Sequence, residues 1–289
     1  MDQSGLTGDV VVTKVGAPID PEAPGDVRAA LTELQRAAIE VEVFGAASGA
    51  PQDGFEDAVV LVRDRTHASV GELVKGLKAA SLISGNQDWT DDEMRSFAKH
   101  KVATWRAGFD ESSADHGVIV IGLPLPDRHR ARHETTHAHE AHGAERAALF
   151  RGRDGNVSLL NEGATETYAR ESGEQFGETQ SSDNAAYGAW EEIYKGLSDS
   201  VGERYLASRY FLGQRSPGLD GAERAIVNAG IQENLGAVRR SLVQGDDHGA
   251  ASAYDTLIYL SARASDAYVK GQDRRADRFA EQARMLVGL

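Results

Sequence analysis

The chain has 289 residues, 40% hydrophobic and 26% charged, which suits one large soluble domain or two small ones around a buried core. Lysine and arginine number 31 against 45 aspartates and glutamates, a formal charge of −14, so phosphate backbones and anionic lipid are repelled and nucleic acid is not expected as a partner. Cysteine is absent, which excludes disulfides, iron–sulfur clusters and thiolate zinc sites and leaves histidine and carboxylate as the only strong metal ligands.

Residues 1–26 are rich in glycine, proline and aspartate, and predict a flexible N-terminal arm with at most a short strand at Val10 to Val12. The opening MDQSGLTGDVVVTKV has neither the basic stretch nor the apolar run of a signal peptide. The expectation is a cytoplasmic protein, or one exported without a signal peptide. No apolar run approaches the roughly 18 residues of a membrane span, so no membrane partner is expected.

Asp26 is placed to cap a helix through Val27, Leu31, Leu34 and Ala38. Ile39, Val41 and Val43 then alternate with Glu40 and Glu42, which predicts a half-exposed strand. Ala58 to Val62 predicts a buried strand. Ser69 with Glu72, and Thr90 with Glu93, are capping-box pairs that open two further helices, the second running to about Trp105. The segment 117–122, GVIVIG, is the clearest strand in the chain. Beyond it the pattern predicts helices over 128–143, 158–173, 184–198, 200–212, 222–243, 248–263 and 265–286. An α/β front half thus precedes an all-helical back half, an α+β chain that is mainly helical.

The chemistry concentrates in His133-Glu134-Thr135-Thr136-His137. On a helix the two histidines lie four residues apart on one face, so their ring nitrogens can bind one Zn²⁺ at about 2.0–2.1 Å. Glu134 lies about 100° round the helix, placed to take a proton from water at the metal's open position. Asp127 is a candidate cap for that helix. A third ligand is needed, and Leu159-Leu160-Asn161-Glu162-Gly163-Ala164-Thr165-Glu166 supplies two carboxylates, Glu162 and Glu166, on one face of the next helix. One of them can bind metal while the other accepts a proton from a ligand histidine.

HETTH followed by LLNEGATETYA resembles the gluzincin class of zinc metallopeptidases, which includes the thermolysin-like enzymes. The resemblance implies a zincin-like catalytic domain with a small N-terminal mixed sheet, over residues 27–215, and a helical C-terminal subdomain over 216–289. It implies zinc ligands His133, His137 and Glu162, Glu134 as general base, and Glu166 as support for a ligand histidine. It also places strand 117–122 near the cleft, as an edge that pairs with extended substrate. The implied activity is hydrolysis of peptide bonds in a protein or peptide substrate through a Glu-activated, zinc-bound water. No Gly-Ala-Met-Glu-Asn sequence precedes the motif, which favours an endopeptidase over an aminopeptidase. The span from His137 to Glu162 is a few residues longer than in compact members. Tyr187, Tyr210 and His248 are the candidates for stabilising the developing oxyanion.

Other metal classes fail on the same letters. A three-histidine metzincin site needs Gly at 140 and His at 143, where this chain has Glu140 and Gly143. A di-iron bundle needs Glu-x-x-His from two helices, and only Glu134 to His137 supplies one. His129, His139 and His142 are expected in solvent, while Glu140, on the face of His133, is a minor rival as the carboxylate that supports a ligand histidine. Two other readings stand beside the peptidase: an inactive zincin scaffold acting as a protein-binding module, and a helical interaction protein in which HETTH is accidental. A housekeeping peptidase and a delivered effector or toxin fit the sequence equally.

Overall fold

The computed structural model describes residues 5–7, 9–46, 57–85, 89–107, 113–115, 117–125, 127–140, 147–150, 158–178, 185–213, 219–241 and 252–289. By density of contacts the chain gathers into two bodies, Met1–His142 with Ala169–Gln180, and Gly143–Tyr168 with Ser181–Leu289. These divisions differ from the expected segments 27–215 and 216–289.

The first body is built on a five-stranded sheet, β1 (Gly5–Thr7), β2 (Val10–Lys14), β3 (Ala58–Val62), β4 (Ser113–Asp115) and β5 (Val118–Gly122), in the order β1-β2-β3-β5-β4. β2 runs antiparallel to β3, with Val10 opposite Val62, and β3 runs parallel to β5, with Ala58 opposite Val118. Parallel neighbours need a long crossover. Here α2 (Val70–Ser84) and α3 (Asp91–Arg106) supply it. Ser69 accepts from the Glu72 amide to cap α2, and Thr90 and Glu93 complete a reciprocal capping box at α3, as their spacing predicts.

Both faces of the sheet are covered, which is why β3 and β5 read as unbroken apolar runs. Val10, Val12, Val60, Val62, Val118 and Val120 face Leu73, Leu77, Met94, Val102 and Trp105 of α2 and α3. The alternate residues Val11, Val59, Leu61, Ile119 and Ile121 pack with Val27, Leu31, Leu34 and Ala38 of α1 (Gly25–Ala46) and with Ala131 and Ala138 of α4 (Arg128–His139).

Three expectations change in this body. The arm predicted over 1–26 contributes β2, whose Val10 to Val12 are buried, and Val15 is fully buried behind it. The strand predicted from Ile39 to Val43 is the last third of α1. Ala30, Leu34, Ala37, Ala38 and Val41 are buried at helical spacing, whereas Ile39 is 48% and Val43 54% exposed, so the apparent alternation was two outward positions flanking one inward one. Finally, β5 is not an edge: β3 and β4 pair with its two sides, which removes it as a strand open to substrate.

The second body is helical. α5 (Leu159–Gln175) begins here and ends in the first body. It is followed by α6 (Ala185–Val201), α7 (Glu203–Leu212), α8 (Leu219–Ile231), α9 (Leu235–Ser241), α10 (Ala253–Val269) and α11 (Asp273–Val287). The single helix expected over 222–243 is two, separated by a turn of 3-10 helix at Gln232–Asn234. The break expected near residue 264 falls instead at Gly271, whose φ of 64° is cheap only for glycine. Phe150, Tyr168, Tyr194, Tyr210 and Phe211 form a packed aromatic cluster. Glu223, fully buried, accepts from Arg209 Nε at 2.8 Å, the Leu149 amide at 3.2 Å and the Tyr254 hydroxyl.

Candidate metal centre

The helix bearing HETTH is unusually polar for its burial: every residue from Ala131 to Glu140 is buried. Asp127 caps it by accepting from the Arg130 amide at 2.7 Å. Thr135 and Thr136 satisfy their hydroxyls on the carbonyls one turn back, at 2.7 and 2.8 Å. Arg132, fully buried, donates to Glu40 of α1 at 3.1 Å and to Glu178 at 2.6 Å. Arg128 pairs with Glu33 at 2.9 Å and also with Glu178. These ion pairs compensate charges that would otherwise carry a desolvation cost of several kcal/mol each. A Cβ added at Gly173 would sit 2.7 Å from the Arg132 guanidinium carbon, so α5 approaches Arg132 as closely as it does only because residue 173 has no side chain.

Three of the expected residues come together. His133, His137 and Glu162 are buried, and each offers a ligand atom within 4.8 Å of the other two. Tetrahedral zinc with bonds near 2.0–2.1 Å sets its ligand atoms about 3.4 Å apart. The two imidazole centroids are 4.8 Å apart, with the rings nearly perpendicular. Two nitrogens and one carboxylate oxygen form a donor set suited to a borderline divalent ion.

Glu134 is 1% exposed. Its Oε1 lies 3.6 Å from Arg130 Nη1 one turn back, while its Oε2 is buried with no hydrogen-bond partner among the described residues. A carboxylate oxygen in that state is suited to accept from a water molecule, as a general base must. Glu166 is buried one turn after Glu162.

The placement of the remaining candidates is mixed. Tyr210 is 1% exposed, and its hydroxyl bonds Thr165 Oγ1 at 2.6 Å. Tyr187 is half-buried and its ring packs against Tyr268 at 6.5 Å. His248 and His142 lie outside the described residues. His129 and His139, expected in solvent, are buried; His139 Nδ1 bonds the Thr135 carbonyl at 2.7 Å. The α4 helix is enclosed on more sides than its polar sequence suggests, so these rings are covered too.

Glu140, the minor rival named from the sequence, has its Oε2 3.4 Å from His137 Nδ1. Two other contributors were missed. The start of α5 is capped from about a hundred residues away. The Leu159 amide donates to Ser265 Oγ at 3.0 Å, and the Leu160 amide donates to Ser261 Oγ at 3.2 Å. Gly163 lets α5 press on α6, since a Cβ there would stand 2.3 Å from the Trp190 carbonyl oxygen. No local pattern announces either of the last two.

Comparison with family models, with curated proteins and with solved structures finds no match to this chain. Among the described residues, no helix is long and apolar enough to cross a membrane.

Proposed function

We propose that the protein is a zinc-dependent endopeptidase. The observation that carries the reading is the buried His133, His137 and Glu162 group with an under-bonded Glu134 oxygen on the same helix as the two histidines. Zinc held by these three residues would polarise the scissile carbonyl and make water a stronger acid. Glu134 takes a proton as the water oxygen bonds to the carbonyl carbon. It returns that proton to the amide nitrogen as the C–N bond breaks, leaving a carboxyl group and an amine. Arg130 lies beside Oε1, which leaves Oε2 for this exchange. Tyr210, Tyr187 and His248 stay candidates for the oxyanion, and the Thr165 bond already engages the Tyr210 hydroxyl.

The burial of all three ligands and of Glu134 favours a second reading, a zincin scaffold that holds metal without turnover. One experiment separates them. Full-length protein purified without chelator is analysed for metal, then incubated with an unstructured protein substrate. The peptidase reading expects about one zinc per chain, cleavage that chelator abolishes and zinc restores, and a loss of 10²–10⁴-fold in Glu134→Gln with zinc retained. Zinc without cleavage leaves the scaffold reading. No bound metal overturns both.

A further inference from the structure

We propose that Glu140, the residue just past the HETTH helix, is the positioning residue that fixes the His137 ring for metal binding. The inference rests on the zinc reading above and deepens it, because the resemblance puts the supporting carboxylate on Glu166 instead.

The geometry is specific. Glu140 is the C-terminal cap of α4, and its amide donates to the His137 carbonyl at 3.3 Å. That bond turns the chain so that the Glu140 side chain folds back along the helix, where Oε2 reaches 3.4 Å from His137 Nδ1. Both side chains are enclosed, at 2% exposure for Glu140 and 9% for His137. A buried carboxylate facing one ring nitrogen holds the proton on that nitrogen. His137 therefore keeps Nδ1–H and turns Nε2, its lone-pair nitrogen, toward the ligand cluster. His139 is held by its own Nδ1 contact to the Thr135 carbonyl, and so does not compete for Glu140 from the next turn. Main-chain and side-chain contacts of one residue thus set both the end of the helix and the orientation of its last ligand.

The consequence is an affinity effect separable from turnover. Removing a carboxylate that orients a metal-bound histidine typically costs 10–100-fold in metal affinity. The test uses the full-length chain stripped of metal and titrated with zinc sulfate against a chromogenic chelator of known affinity. Glu140→Ala should weaken zinc binding 10–100-fold, Glu140→Gln less than 10-fold because its amide oxygen still accepts, and Glu166→Gln less than Glu140→Ala. Ring ¹⁵N spectra of histidine-labelled protein supply a readout that general destabilisation does not move. His137 should show Nδ1–H in the wild type and in Glu140→Gln, and lose that preference in Glu140→Ala. The ring measurement is made on metal-free protein as well, above the pH where imidazole titrates. If the wild type binds no zinc, the zinc reading fails while the Glu140 contact is still decided by the tautomer. Unchanged zinc affinity together with an unchanged His137 tautomer in Glu140→Ala overturns the proposal, as does zinc bound through Nδ1.

Discussion

Gly163 immediately follows the expected third ligand, and replacing it with alanine tests how α5 is placed. A Cβ at this position would lie 2.3 Å from the Trp190 carbonyl oxygen, 2.4 Å from its carbon and 2.8 Å from the Glu191 amide nitrogen. All three are main-chain atoms of α6, so no side chain can rotate aside, and α5 and α6 must separate by about an ångström. Overpacking by a methyl group costs about 1–3 kcal/mol. The rigid neighbours put this case near 3. Alanine returns about 1 kcal/mol of helix propensity. The net is a destabilisation of about 2 kcal/mol, or a fall in melting temperature of about 3–4 °C for a protein of this size. The separation also moves Glu162, so zinc affinity should fall with stability. Gly188, on α6 with nothing within 4 Å of its virtual Cβ, is the matched control and should gain about 0.5–1 kcal/mol as alanine. Thermal unfolding by circular dichroism and zinc titration measure both effects. A Gly163→Ala protein that melts at or above the wild-type temperature and binds zinc equally would refute the close approach of the two helices.

Other outcomes follow from the same contacts. Glu223→Ala should destabilise by about 3–5 kcal/mol in chemical denaturation, because it leaves the buried Arg209 and the Leu149 amide without their carboxylate. Ser261→Ala with Ser265→Ala removes two hydroxyls that receive the first amides of α5. At about 1 kcal/mol per lost cap, the double variant should show faster amide exchange at Leu159 and Leu160 and weaker zinc binding. His137→Ala should lose zinc altogether by elemental analysis, with only Glu162 and His133 left. The Asp64 carboxyl sits below its ordinary 3.8, first through the Thr66 hydroxyl and then through His67. What this contact adds is present above pH 3.8 and lost as pH falls through the lowered value. Thr66→Ala should raise the Asp64 midpoint in a carboxyl NMR titration.

Local signals were read well at three helix starts and misplaced at one, since Asp26, expected as the cap of α1, lies inside its first turn. Ser69, Thr90 and Asp127 cap the helices they were expected to cap, because a cap bonds an amide two or three residues away. The HETTH spacing places both imidazoles together for the same reason, and Glu162 lies with them. Misreadings arose where the environment decides. Residues 39–43 alternate in type, yet belong to a helix because Leu34 and Ala38 pack on the sheet and Val41 is buried, whereas Ile39 is exposed. The strand 118–122 reads alike as an edge or an inner strand, and only pairing on both sides decided it.

By itself, then, the sequence determined which side chains could serve as ligands: a cysteine-free chain with one well-spaced His/His/Glu set. Tertiary structure decided what surrounds that set. Glu40 and Glu178 neutralise Arg132 from distant segments, Ser261 and Ser265 cap the helix that carries Glu162, and Gly163 sets its distance from α6. Each of these depends on which remote group occupies a few ångströms of space, a quantity no local pattern encodes.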